Sequence, residues 1–301
     1  MKSITEEELI DELKKRLQEK QQSVAELTRL SEELKIVNKK LSDSEALKSN
    51  FLANIRNEII NPFSSIIGLS RHIINVKKED WKKVITMASL IHSEAFELNF
   101  QLKNIFAAAE LEAGEAIPQY AKVDITSVLN EVMENFSPIV KGKKITMIME
   151  NSLQKANEPW YFITDPSKLE LILSNILKNA IEFSLENSEV KITAGFDSKT
   201  ETLIISIKDN GIGISASNID KIFDRFARLN NSINSKVKGH GLGLTVSKAM
   251  LDMLNGKISV ESESGVGSVF TIQLPKSEQN AAIEGMTGKS NEMFFEGDEK
   301  F

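Results

Sequence analysis

The sequence predicts an α plus α/β protein, in which a coiled-coil helix leads into a dimeric four-helix bundle and then into an α/β sandwich. Three observations carry this prediction. Residues 4 to 50 hold no Gly and no Pro, apolar residues recur at helical spacing from there to Glu112, and beyond Gly114 short strands alternate with helices. The expected boundaries are 1–42 for the coiled coil, 43–114 for a helical hairpin, 120–276 for the α/β domain and 277–301 for a mobile acidic tail.

Taking Ile10 as heptad position a places Ile10, Leu13, Leu17, Lys20, Val24, Leu27, Ser31, Leu34, Asn38 and Leu41 at a and d. Seven of these ten are apolar, which suits a parallel dimeric coiled coil with Asn38 fixing register; a single amphipathic helix on a globular body is the alternative. The heptad breaks at Glu45 and Lys48. From Asp43 to Asn75 the apolar pattern stays helical, interrupted by Pro62, which removes a backbone hydrogen bond and is expected to kink the helix. Asp80 can cap a second helix from Trp81 to about Glu112, ending at Gly114. Its apolar stripe (Val84, Met87, Leu90, Ile91, Phe96, Ile105 among others) is too wide for two helices to cover, so a homodimer forming a four-helix bundle is expected.

In the last domain, strands are expected near Ala121–Ile125, Lys144–Glu150, Tyr161–Thr164, Glu189–Phe196, Thr202–Asp209, Lys257–Glu263 and Ser268–Leu274. Helices are expected near Ile125–Val140, Pro166–Phe183, Asn218–Phe223 and Leu242–Leu254.

Composition narrows the classes. With 301 residues and no Cys, the chain has a full core but no disulfide, thiolate metal site or cysteine nucleophile. A net charge of -6 argues against a nucleic-acid binder, since phosphate backbones need clustered Lys and Arg. Apolar runs stay near five residues, as in Ile105 to Ala109, so a cytoplasmic location is expected, with a membrane reached only through an N-terminal region beyond Met1.

Three spaced elements carry the chemistry: Asn175-x-x-x-Asn179-Ala180 on a helix, Asp209-Asn210-Gly211-Ile212-Gly213-Ile214 after a strand, and Gly239-His240-Gly241-Leu242-Gly243-Leu244 opening a helix. Asn175 and Asn179 lie one turn apart and offer amide oxygens, hard ligands that suit Mg²⁺ held between protein and phosphates. The Asp209 carboxylate can accept from the exocyclic amine of adenine, and the glycines after it let the backbone approach the ring. The later glycines let a loop fold over phosphates at a helix N-terminus, where free N–H groups and the dipole favour anions. Taken alone, Gly-x-Gly-x-x-Gly is better read as a tight turn with no ligand; the order, spacing and context of the three elements point together to a nucleotide held with Mg²⁺.

These elements resemble the ATP-binding boxes of sensor histidine kinases, a GHKL-type α/β sandwich. Phe223-Asp224-Arg225-Phe226 is similar to that family's phenylalanine box, and Phe51 to Pro62 looks like its phosphoacceptor box. The resemblance covers residues 43 to 276. It implies a dimerisation and phosphotransfer hairpin, an ATP-binding domain with a lid at about Arg228 to Lys238, and a response-regulator receiver domain as partner. It assigns Asn179, Asp209, Gly211, Gly213, Gly239, Gly241, Leu242, Gly243 and Leu244 to the nucleotide. Lys178, Arg225, Arg228, Lys236 and Lys238 remain as phosphate partners or solvated surface.

Two departures matter. The phosphoacceptor His of the family falls on Asn57, whose carboxamide nitrogen has no basic lone pair, so self-phosphorylation there is expected to be absent. Glu182 stands where the family often carries Lys. Asn57 reads either as a substitution made in a normal kinase or as the mark of a natural pseudokinase scaffold. Glu58, the general base in the resemblance, and Asn61, which would orient water against a phospho-aspartate, are kept, so phosphatase activity toward a response regulator is expected to survive; the bland reading is a solvated carboxylate and a residue before a kink. A gyrase- or Hsp90-like ATPase would need a carboxylate base at position 175, which is an amide.

Overall fold

The computed structural model describes residues 6–77, 80–152, 159–224 and 241–277; within the first helix, side chains are described at 14–24, 26–35, 37–39 and from Ile59 onward. Arg225, Phe226, the expected lid, Lys238, Gly239, His240, the tail beyond Ser277 and the side chains of Asn57 and Glu58 lie outside the described residues. The chain divides into two units, Met1–Asn57 and Glu58–Phe301.

The first unit carries the start of helix α1 (Glu6–Ile74). Its heptad residues Leu17, Val24, Leu27 and Leu34 are 60 to 66% exposed, an apolar stripe that this chain alone does not cover.

In the second unit α1 continues to Ile74 with Pro62 inside it, so the helical pattern runs on through Pro62 as expected. Helix α2 (Trp81–Ala113) ends at Gly114 in the left-handed region, whose N–H returns to the last turn. The Asp80 side chain makes no capping bond, contrary to expectation; its carboxylate is held instead by Lys83 Nζ at 2.9 Å. Ile60, Phe63, Ile67 and Ile74 of α1 and Trp81, Ile85, Leu90 and Phe106 of α2 are exposed.

The α/β domain follows the expected order: β1 (Ala121–Asp124), α3 (Ile125–Lys143), β2 (Thr146–Asn151), β3 (Tyr161–Thr164), α4 (Pro166–Phe183), β4 (Glu189–Asp197), β5 (Thr202–Asp209), a 3-10 helix (Ala216–Phe223), α5 (Gly243–Met253), β6 (Lys257–Glu263) and β7 (Gly267–Pro275). Asp124 and Asp165 cap α3 and α4 by accepting from Thr126 N–H and Lys168 N–H. Strand β2 starts two residues later than expected because Lys144, at φ 56°, is the left-handed C-cap of α3. Near residue 220 the helix is 3-10 from Ala216 rather than α from Asn218.

Strands β2-β4-β5-β7-β6 form one sheet, with β2 and β4 parallel and the other pairs antiparallel; β1 and β3 form a separate ribbon. Val190, Ile192, Leu203, Ile205, Ile207, Phe270, Ile272 and Leu274 alternate along β4, β5 and β7 and are buried, as period-2 patterning demands of a sheet with one face on a helical layer. That layer centres on α4, where Leu169, Ile172, Leu173, Ile176 and Leu177 are at most 1% exposed.

Candidate nucleotide-binding site

Helix α4 organises the site because it touches both glycine elements, at positions two turns apart. At its end, Phe183 O accepts from Ile212 N–H at 3.2 Å, and a Cβ at Gly211 would lie 2.3 Å from that same oxygen. Two turns earlier Asn175 abuts the start of α5, its Oδ1 3.0 Å from where a Gly243 Cβ would sit. Asn179 falls one turn from each, so positions 175, 179 and 183 share a face. Asn179 is half-buried, and its carboxamide makes no hydrogen bond among the described residues.

Asp209 ends β5 at 3% exposure. Its Oδ1 accepts from Gly211 N–H at 2.9 Å. Burial holds its carboxyl above the ordinary value of 3.8, offset in part by hydrogen bonds from Gly211 and Ser268. Ser268 in turn lies 2.9 Å from Ser262 Oγ, which accepts from Ile214 N–H at 2.8 Å and donates to Gly267 O. The turn from Gly211 to Ile214 is therefore pinned at both ends by buried polar contacts. At Gly213 the backbone has φ 63° and a Cβ would fall 1.9 Å from Glu263 O, so glycine is required there by both conformation and space.

Helix α5 opens on Gly241, Leu242 and Gly243 with no side-chain cap, leaving its first N–H groups without a side-chain acceptor among the described residues. Leu242 is buried, while Gly241 and Leu244 are half-buried. Thr245 Oγ1 donates to Phe223 O at 3.3 Å, tying α5 to the described part of the phenylalanine box.

Two expectations are revised by this geometry. Asn175 is 3% exposed and its Nδ2 donates to Asn104 Oδ1 at 2.8 Å and Ser247 Oγ at 3.2 Å, so of the amide expected to pair with Asn179 at a metal only the Oδ1, beside Gly243, is left without one of these bonds. Lys178, offered as a phosphate partner, pairs with Glu97 of α2 and lies 3.9 Å from Glu182 and 4.7 Å from the Phe100 ring centroid. Asn61 is exposed on α1. Among the described residues there is no cluster of three or more His, Cys, Asp or Glu that could hold a metal ion, and no helix is long and apolar enough to cross a membrane.

Residues 164–278 match the family described as histidine kinase-, DNA gyrase B-, and HSP90-like ATPase, a span that contains all three elements. Over 253 residues the chain is 30% identical to the sensor protein GacS of Pseudomonas syringae pv. syringae, covering 82% of this chain and 27% of that one. Residues 164–278 belong to that ATPase family, and the relatives matched along the rest of the chain are sensor histidine kinases. Another relative is the autoinducer 2 sensor kinase/phosphatase LuxQ of Vibrio harveyi, 26% identical over 87% of this chain and 30% of that one. Among solved structures, full-length ShkA in complex with AMPPNP has the same fold, with a TM-score of 0.53 and 24% identity over 77% of this chain and 46% of that one. The chain thus spans under a third of the length of the curated relatives it matches.

Four side chains that shape the histidine kinase site were not legible as such: Ser262, Ser268, Ser247 and Asn104. Ser262 and Ser268 face each other only through the β6–β7 register, and Asn104 reaches the site only because α2 docks there.

Proposed function

We propose that this chain binds Mg-ATP between the two glycine elements and is the kinase core of a two-component sensor whose own phosphoacceptor position is blocked by Asn57. The observation that carries the nucleotide reading is the α4 face: Asn179, its carboxamide without a hydrogen bond among the described residues, lies one turn from each glycine element, with the buried Asp209 beyond Gly211. Asp209 accepts from the adenine amine, Gly211 and Gly213 admit the ring to the backbone, Asn179 supplies an oxygen to Mg²⁺, and the first turn of α5 from Gly241 to Leu244 receives phosphate oxygens. Bound nucleotide supplies the phosphoryl group. Position 175, one turn before Asn179 on α4, holds an amide that cannot take a proton from water, which favours positioned transfer over hydrolysis.

In this reading a His-bearing subunit, rather than Asn57, receives the phosphoryl group and passes it to an Asp of a response-regulator receiver domain. Glu58 and Asn61 retain the pattern for a water-directed phosphatase step, a pairing supported by the name of the relative LuxQ, a sensor kinase/phosphatase. Homodimerisation is supported by the exposed heptad residues of α1 and the exposed apolar residues of α1 and α2.

The test uses γ-labelled ATP and Mg²⁺ with the wild-type chain beside Asn57→His. Acid-labile, base-stable label is expected in the variant alone. Label on the wild type at any bundle residue sinks the blocked-acceptor reading; no label on either chain while the dimer is intact moves the pseudokinase scaffold ahead.

A further inference from the structure

The C-terminal half of α2 lies against the nucleotide-binding domain along a seam that ends on Asn175. Phe136 of α3 meets Phe96 and Phe100 edge-on, at 5.6 and 6.1 Å between ring centroids. Lys178 pairs with Glu97, and Lys103 with Glu170 at 3.2 Å. At its centre, Asn104, 4% exposed, donates through Nδ2 to Phe100 O of its own helix at 3.0 Å. That main-chain acceptor dictates the orientation of the Asn104 amide, so its Oδ1 faces Asn175 and accepts from Asn175 Nδ2 at 2.8 Å.

The Asn175 amide is thereby oriented in turn. Its nitrogen is taken by Asn104 and Ser247, and its oxygen packs on Gly243, the first residue of α5. Without Asn104, Asn175 keeps only the 3.2 Å bond to Ser247. A loosened carboxamide beside an uncapped helix start competes for the N–H groups that face phosphate. Gln101 Oε1 is buried at this seam with no partner among the described residues, so separation that hydrates it recovers part of the cost of opening.

We propose that Asn104 of α2 is a positioning residue for the nucleotide site, acting through Asn175 on the first turn of α5, so that docking of α2 and nucleotide occupancy favour one another. Because the proposal rests on the nucleotide reading above, the first measurement is binding of Mg-AMPPNP to the full wild-type chain by calorimetry; no binding there overturns both. With binding established, Asn104→Ala is expected to weaken affinity about tenfold, the scale of leaving a buried amide unpaired. Affinity within about twofold of wild type overturns this proposal alone.

A reciprocal readout separates positioning from general loosening. Coupling acts equally in both directions, so Mg-AMPPNP should slow hydrogen exchange at residues 97–107 in the wild type and fail to do so in Asn104→Ala. The wild-type half of that experiment stands even where the variant does not fold. Exchange in 97–107 that ignores the nucleotide overturns the proposal.

Discussion

Asp209 carries a specific pH dependence. Its folded pKa lies above the ordinary 3.8 because burial disfavours the carboxylate, so the folded chain holds the proton more tightly than the unfolded chain. Stability is therefore lost as pH rises from that ordinary value through the folded pKa, and stays level above it. Binding runs the other way, because the ionised carboxylate is the stronger acceptor for an exocyclic amine. Nucleotide affinity should fall as pH drops through the folded pKa, whereas Asp209→Asn should bind weakly at every pH, by about 1.5 to 3 kcal/mol. Calorimetric titrations of both chains across pH check this; parallel profiles would mean that Asp209 does not touch the ligand. The serines behind Asp209 explain how a carboxylate is tolerated at 3% exposure, since Ser268 and Gly211 satisfy part of what water would have supplied.

At the scale of elements, α4 is the part on which fold and site depend together. One side fills the core with Leu169, Ile172, Ile176 and Leu177, while Asn175, Asn179 and Phe183 define the site. The carbonyls that end α4 are held by Lys143, whose Nζ donates to Ile181 O at 2.9 Å and Glu182 O at 2.7 Å. Leu177→Ala should lower unfolding free energy by about 2 to 5 kcal/mol, the transfer and cavity cost of a fully buried leucine. Urea denaturation measures it, and a loss under about 0.5 kcal/mol would remove α4 from the centre of the core. By contrast the Lys103–Glu170 pair, half-exposed on the α2 side, contributes at most about 1 kcal/mol, so the seam depends on its buried aromatic and amide contacts.

At the scale of the whole molecule, the exposed stripe on α1 calls for a partner. Leu17, Val24, Leu27 and Leu34 bury little in this chain, and burying such residues contributes about 1.5 to 3 kcal/mol each. Light scattering with size exclusion should show a dimer for the full chain and a shift toward monomer for Leu27→Lys with Leu34→Lys. An unchanged mass would place the dimer interface elsewhere or remove it.

Local patterns were legible in the sequence because their causes are local. The α4 and β5 bounds and the glycines at 211 and 213 follow from period and turn chemistry over a few residues. So does the loss of a basic nitrogen at position 57, which is a property of the side chain itself. Tertiary structure decided what depends on neighbours remote in sequence. Spacing alone put Asn175 and Asn179 on one face as equals, and only the approach of Asn104, 71 residues away, buries one and leaves the other open. Lys178 likewise offered a cation to phosphate until Glu97 of α2 claimed it. A side chain's type is written in the sequence, but its hydrogen-bond partner is set by which elements pack together.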